Sequence, residues 1–127
     1  MATLTHLDTH VVVWLVTGEH ARLSESARAM IEQDRLEISP MVGLELTYLC
    51  EIGRLAIEPD AILSELRRSI DLRECDEPFG TVVSLARGLS WTRDPFDRLI
   101  VAQAVVAGAR LVTRDLTIRE NFSYATW

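Results

Sequence analysis

The sequence predicts a three-layer α/β/α sandwich with a central parallel sheet, and three observations carry that prediction. Short apolar strand candidates alternate with longer helical stripes along the chain, the order that parallel strands joined by crossover helices require. Residues that start helices (Ser, Asp, Pro) and glycines that end them punctuate the stripes. No repeat, low-complexity tract or linker interrupts the 127 residues, of which 48% are hydrophobic, so a single domain over 1–127 with a sizeable core is expected.

The elements follow in order. Thr3–Leu7 reads as the first strand, with Asp8 directly after it, and Thr9–Thr17 continues as an apolar helix closed by Gly18. Ser24, with Ala27, Met30 and Ile31 spaced behind it, predicts a capped amphipathic helix to about Asp34. Leu36–Ser39 is the second strand. Pro40 suits a first helical turn, and Met41, Leu44, Leu49 and Ile52 extend a stripe to Gly53. Pro59 opens a helix through about Ser69, and Ile70–Cys75 is the third strand candidate. Pro78 begins a helix to Gly88, and Ser90–Arg93 is a polar connection.

Asp94-Pro95 is an N-cap and first-turn pair, opening a helix to about Ala107 with Gly108 behind it. Leu99, Ile100, Val101, Ala104, Val105 and Val106 surround most of that helix, so it should be packed on several sides. Arg110–Thr113 is the fourth strand, Asp115 lies just beyond it, and Tyr124–Trp127 is a candidate fifth.

Composition narrows the class. The apolar runs Val11–Val16 and Leu99–Val106 fall short of the ~20 residues of a membrane span, and the N-terminus lacks a basic signal-peptide start, so no membrane association and a cytoplasmic location are expected. Cys50 and Cys75 lack CxxC spacing and read as reduced, partly buried thiols rather than a disulfide or zinc framework. The net charge of -6 runs against nucleic-acid handling, but all 13 basic residues are Arg, whose planar fork grips phosphate in two places. A compositional bias of the source genome explains the missing Lys equally well.

Four acids, Asp8, Glu45, Asp97 and Asp115, fall at predicted strand ends or on the helix that follows one. In an open parallel sheet those ends share one edge, so acids distant in sequence converge there. Singly, each has a structural explanation, since acids cap helices and favour their first turns. Glu45 resists it, because its neighbours Leu44 and Leu46 are apolar and a lone buried carboxylate is costly. Carboxylates ~5 Å apart at an effective dielectric near 20 repel by about 3 kcal/mol per pair, a large share of a ~5–15 kcal/mol stability. Protons or a cation must relieve that repulsion, and oxygen-only ligands favour Mg²⁺ or Mn²⁺. His6 and His10 flank Asp8 and read as structural.

Leu7-Asp8-Thr9, Ser39 followed by Glu45-Leu46, Arg93-Asp94-Pro95-Phe96-Asp97-Arg98-Leu99 running into Ala102-Gln103-Ala104, and Leu111-Val112-Thr113-Arg114-Asp115 together resemble the ordered motifs of PIN-domain ribonucleases, in particular VapC-type toxins. The resemblance spans nearly the whole chain. It implies a PIN-like fold, Mg²⁺- or Mn²⁺-dependent endoribonuclease action on an RNA substrate, a homodimer, and inhibition by a small VapB-like antitoxin. It assigns Asp8, Glu45, Asp97 and Asp115 to the metal site and places Thr113 where a hydroxyl can orient a water; Asp94 matches the aspartate of the Asp-Pro turn, read as a helix cap with an outer-shell metal role as the alternative. Gly43 stands where many relatives carry a small hydroxyl residue. Arg98 and Arg114, beside site acids, are candidates for RNA phosphate contacts.

Two other phosphate-handling classes fit less well. A receiver domain looks to need a Lys near its active aspartate, and the chain has none; a haloacid-dehalogenase-like phosphatase wants an Asp where His10 stands. The reading from a different class is a non-catalytic PIN-like RNA- or protein-binding module. Thermal melting with and without Mn²⁺ separates it from a metal enzyme, since an ion that binds the native state raises its melting point.

Overall fold

A computed structural model describes residues 3–127. The chain runs β1 (Leu4–Leu7), α1 (Thr9–Val16), a 3₁₀ turn (His20–Arg22), α2 (Glu25–Gln33), β2 (Arg35–Ile38), α3 (Pro40–Glu51), α4 (Pro59–Ile70), β3 (Arg73–Glu74), α5 (Phe79–Ala86), α6 (Pro95–Ala107), β4 (Arg110–Val112), α7 (Leu116–Asn121) and β5 (Ala125–Thr126). The strands form one sheet in the order β3-β2-β1-β4-β5, every neighbouring pair parallel. Helices flank it, so the architecture is the three-layer α/β/α sandwich that the alternation predicts.

Local chemistry sets the boundaries. Ser24, Ser39, Asp94 and Asp115 each accept a backbone N–H of the helix they open, and Pro40, Pro59 and Pro95 occupy first turns where no N–H partner is needed. Gly108 ends α6 at φ 67, a left-handed conformation that glycine adopts without a Cβ clash.

The third strand departs from expectation. The segment from Ile70 suggests a strand through Cys75, yet α4 continues to Ile70 and stops at Asp71, φ 53, leaving only Arg73–Glu74 to pair with β2. Helical continuation buries Leu66 and partly buries Ile70 against the core, which a strand starting there would forfeit. The short helix α7 is a second addition, capped by Asp115 through Ile118 N at 3.0 Å.

β1 sits at the centre, with Thr5, His6 and Leu7 all fully buried. α6 lies in the interior as its all-round apolar pattern requires: Ile100, Val101 and Ala104 join the main core, while Ala102 packs with Val82 and Ala86 of α5 in a smaller one. The winding of the sheet reverses between β1 and β4. In doubly wound sheets the cleft outside the strand ends at that reversal is where ligands bind.

Candidate active site

Asp8 leaves the end of β1 and Asp115 follows β4, so both stand at the reversal point. α3 brings Glu45 and the first turn of α6 brings Asp97 to the same place. All four line one cleft of about 420 Å³, together with Thr9, His10, Trp14, Leu49, Arg54 and Asp94. The sequence-predicted acids are thus neighbours across one opening.

Each acid is held differently. Asp8 is almost fully buried; its Oδ1 accepts Thr9 N at 2.8 Å and its Oδ2 accepts the Thr113 hydroxyl at 2.7 Å. Glu45 Oε1 accepts a short hydrogen bond from the Thr9 hydroxyl. Burial raises the Glu45 pKa, with Asp8 and Asp94 pushing the same way against the Thr9 hydrogen bond. Asp97 has no such compensation. Burial first, then Asp94, Asp8, Asp115 and Glu45, raise its pKa from 3.8 to about 7, and nothing lowers it.

The acids do not close into a compact cage. Among the described residues, no three of them bring carboxylate oxygens within 4.8 Å of one another, so the spacing is wider than the ~5 Å mutual crowding of the sequence argument. Repulsion between like charges favours this spread. The donor set nonetheless fits a hard divalent cation: it offers four carboxylates, one of them without a compensating partner, and no Cys, while the lone histidine on the wall, His10, has its Nε2 occupied by the Arg114 N–H.

Three further side chains order the site; Thr113 and Ser39 lie within the family-like motifs, whereas His10 reads from sequence as structural only. Thr113 is fully buried, donates to Asp8 and accepts the Asp115 N–H at 3.0 Å, so one hydroxyl orients two acids. His10 Nε2 accepts the Arg114 N–H at 2.9 Å, which places its ring proton on Nδ1, 3.5 Å from Asp8 Oδ2. Ser39, which caps the Glu45 helix, donates to Gln103 Oε1 at 2.8 Å on the Asp97 helix. That buried bond braces α3 against α6.

Arginines were harder to place from sequence. Arg98 turns its Nε to the Thr92 carbonyl and lines a separate recess with Val83, Arg87 and Leu99, while Arg114 is exposed beside the cleft without lining it. The cation on the cleft wall is Arg54, exposed and in no ion pair among the described residues. It follows α3 at a turn closed by its own N–H to Leu49 O, a placement with no sequence signature.

A doubly wound sheet with an acid-lined cleft at its reversal point defines a class of α/β domains whose ligands bind outside the strand ends. Comparison makes it specific: the PIN domain model matches residues 6–121, and the chain belongs to the PIN-domain family. It is 33% identical to Ribonuclease VapC22 of Mycobacterium tuberculosis over 125 residues, covering 94% of this chain and 92% of that protein. In fold it is similar to a chain of the VapBC2 structure from Rickettsia felis bound to a promoter DNA fragment, with TM-score 0.68 and 18% identity over 93% of this chain and 92% of that one. It also matches a toxin-antitoxin complex from Klebsiella pneumoniae, with TM-score 0.65 and 14% identity over 97% and 96% of the two chains.

Proposed function

We propose that this chain, as one PIN-domain unit over residues 1–127, is a metal-dependent endoribonuclease and the toxin of a toxin-antitoxin pair. The observation that carries the reading is Asp97: a half-buried carboxylate ringed by Asp8, Glu45, Asp94 and Asp115, and in no ion pair among the described residues. Likeness to Ribonuclease VapC22, to VapBC2 and to a toxin-antitoxin complex supports the activity and a VapB-like antitoxin partner.

Asp8, Glu45, Asp97 and Asp115 hold Mg²⁺ or Mn²⁺. A divalent ion at such a site lowers the pKa of water and neutralises charge on phosphate oxygens. The side chains supply the rest. Thr113 and Thr9 fix the carboxylate oxygens of Asp8 and Glu45, so the ligands arrive preorganised. Thr113 has one lone pair beyond its two bonds, through which it can also orient a water. Arg54 grips a substrate phosphate across the cleft, and Arg114 extends the cationic rim. Arg98, tied to Thr92 O, remains a more distant phosphate contact.

The exposed stripe Leu44, Tyr48 and Ile52 along α3, with Phe96 beside Tyr48 at 5.9 Å, supports a homodimer. No helix among the described residues is long and apolar enough to cross a membrane, consistent with a cytoplasmic toxin.

The test is Asp97→Asn. Because Asp97 makes no side-chain bond among the described residues and its charge is unfavourable at neutral pH, the metal-free variant should melt no lower than the native chain while losing Mn²⁺-dependent cleavage of RNA. Retained cleavage overturns the proposal.

A further inference from the structure

Behind the cleft, three side chains that the nuclease chemistry does not use meet on the sheet. His6 of β1 and Glu37 of β2 are register partners, and Cys75, just past β3, is bound to Ile38 O through its own N–H at 2.8 Å. One donor atom from each lies within 4.8 Å of the other two. His6 and Cys75 are buried, whereas the Glu37 side chain is 22% exposed and opens the cluster to solvent.

His6 and Glu37 are joined by one long hydrogen bond. His6 Nε2 and Glu37 Oε1 stand 3.3 Å apart, whereas a charge-assisted N–H···O bond draws in to ~2.7–2.9 Å. The His6 ring is fully buried on the central strand, and its Nε2 is the nitrogen turned toward Glu37. Its other nitrogen, Nδ1, is buried without a partner, so no other contact fixes the tautomer. A separation of 3.3 Å is the N···O edge of a tetrahedral site with bonds of about 2.0–2.1 Å.

We propose that His6, Glu37 and Cys75 form a second cation site, for a borderline ion such as Zn²⁺, separate from the oxygen-lined cleft. The donor set is one nitrogen, one sulfur and one oxygen, the mixture such ions prefer over Mg²⁺. The charges balance: a 2+ ion meets one thiolate, one carboxylate and a neutral imidazole, which is what a largely buried site requires. Binding releases the Cys75 thiol proton to solvent, and a water reaching past Glu37 completes the fourth position. The ion would tie the two-residue edge strand β3 to the central strand β1. The three ligands come from β1, β2 and the residue that follows β3, so no short ligand spacing betrays them in sequence.

Co²⁺ is the probe, because only a thiolate ligand gives it a strong sulfur-to-metal charge-transfer absorption in the near ultraviolet. The chelator-stripped full chain should show that band saturating at one equivalent. Cys50→Ala and Asp97→Asn should retain it, and Cys75→Ser should lose it while its far-ultraviolet dichroism stays native. Absence of the band in the unmodified chain, survival in Cys75→Ser or loss in Cys50→Ala overturns the proposal. If Cys75→Ser does not fold, Glu37→Gln decides: at least tenfold weaker Co²⁺ binding supports the site, and unchanged affinity overturns it. Because Asp97→Asn disables only the cleft, failure of this site and failure of the nuclease reading give different results.

Discussion

The two ends of the central strands treat their acids in opposite ways. Where the strands begin, Asp34 is buried to 10% side-chain exposure, accepts the Thr5 hydroxyl at 2.7 Å and is met by Arg110 Nη2 at 2.5 Å. Where they end, Asp8, Glu45, Asp97 and Asp115 face one another with hydroxyl and backbone donors but no paired arginine. The first arrangement satisfies a charge within the fold; the second leaves charge to be satisfied from outside. A carboxylate is informative about function when its partner is missing.

The largest expected effect breaks the unsatisfied end. Asp8→Asn or Asp97→Asn should lower Mn²⁺-dependent RNA cleavage by at least ~10²-fold in single-turnover assays, the scale on which positioned electrostatic groups act. The same pair of ends predicts a contrast in ion response. Mn²⁺ at about 100 times its dissociation constant should stabilise the native chain by ~2.7 kcal/mol in thermal melts, and Asp97→Asn should reduce that gain.

pH sharpens the contrast. The Asp97 pKa lies above its unfolded value, so the folded chain holds an extra proton between about 4 and 7. Its contribution is therefore unfavourable at higher pH: metal-free stability should fall as pH rises through that window, and ion affinity should rise through about 7. Comparing urea midpoints of the native chain and Asp97→Asn from pH 5 to 8 isolates this group; a parallel pair of curves counts against it.

At the satisfied end, Arg110→Met strands Asp34 and should cost about 1–2 kcal/mol by urea denaturation, discounted because the arginine is partly exposed, with cleavage per folded molecule unchanged. Arg54→Gln should weaken RNA binding and reduce the salt slope by about 1 without altering Mn²⁺ affinity. Smallest is Gly43→Ala in α3, where an added Cβ meets only Leu63 Cδ1 at 3.7 Å; it should stabilise by ~0.5–1 kcal/mol.

Sequence patterning conveyed the layered fold and the acids because both depend on periodicity and order. Asp8 and Asp115 were legible since they follow apolar strands directly, and Asp94 since Asp-Pro is a helix-start pair. What stayed hidden depends on three-dimensional meeting. Thr9 reaches Glu45 across 36 positions, Ser39 reaches Gln103 across 64, and Arg54 joins the cleft from a turn; none has a spacing rule. The third strand was overextended because the alternation of Ile70 and Leu72 with charged residues suits a strand, while Ile70 equally completes the apolar stripe of the preceding helix.

The hydrogen bond between Ser39 and Gln103 has a practical corollary. Because it fixes how far the shoulder bearing Glu45 stands from the one bearing Asp97, the aperture is calibrated from within the hydrophobic interior rather than by a movable loop. Ion preference in this enzyme is then adjustable from a distance: shortening Ser39 to Ala should change the ratio of manganese- to magnesium-supported turnover although no ligand has been touched.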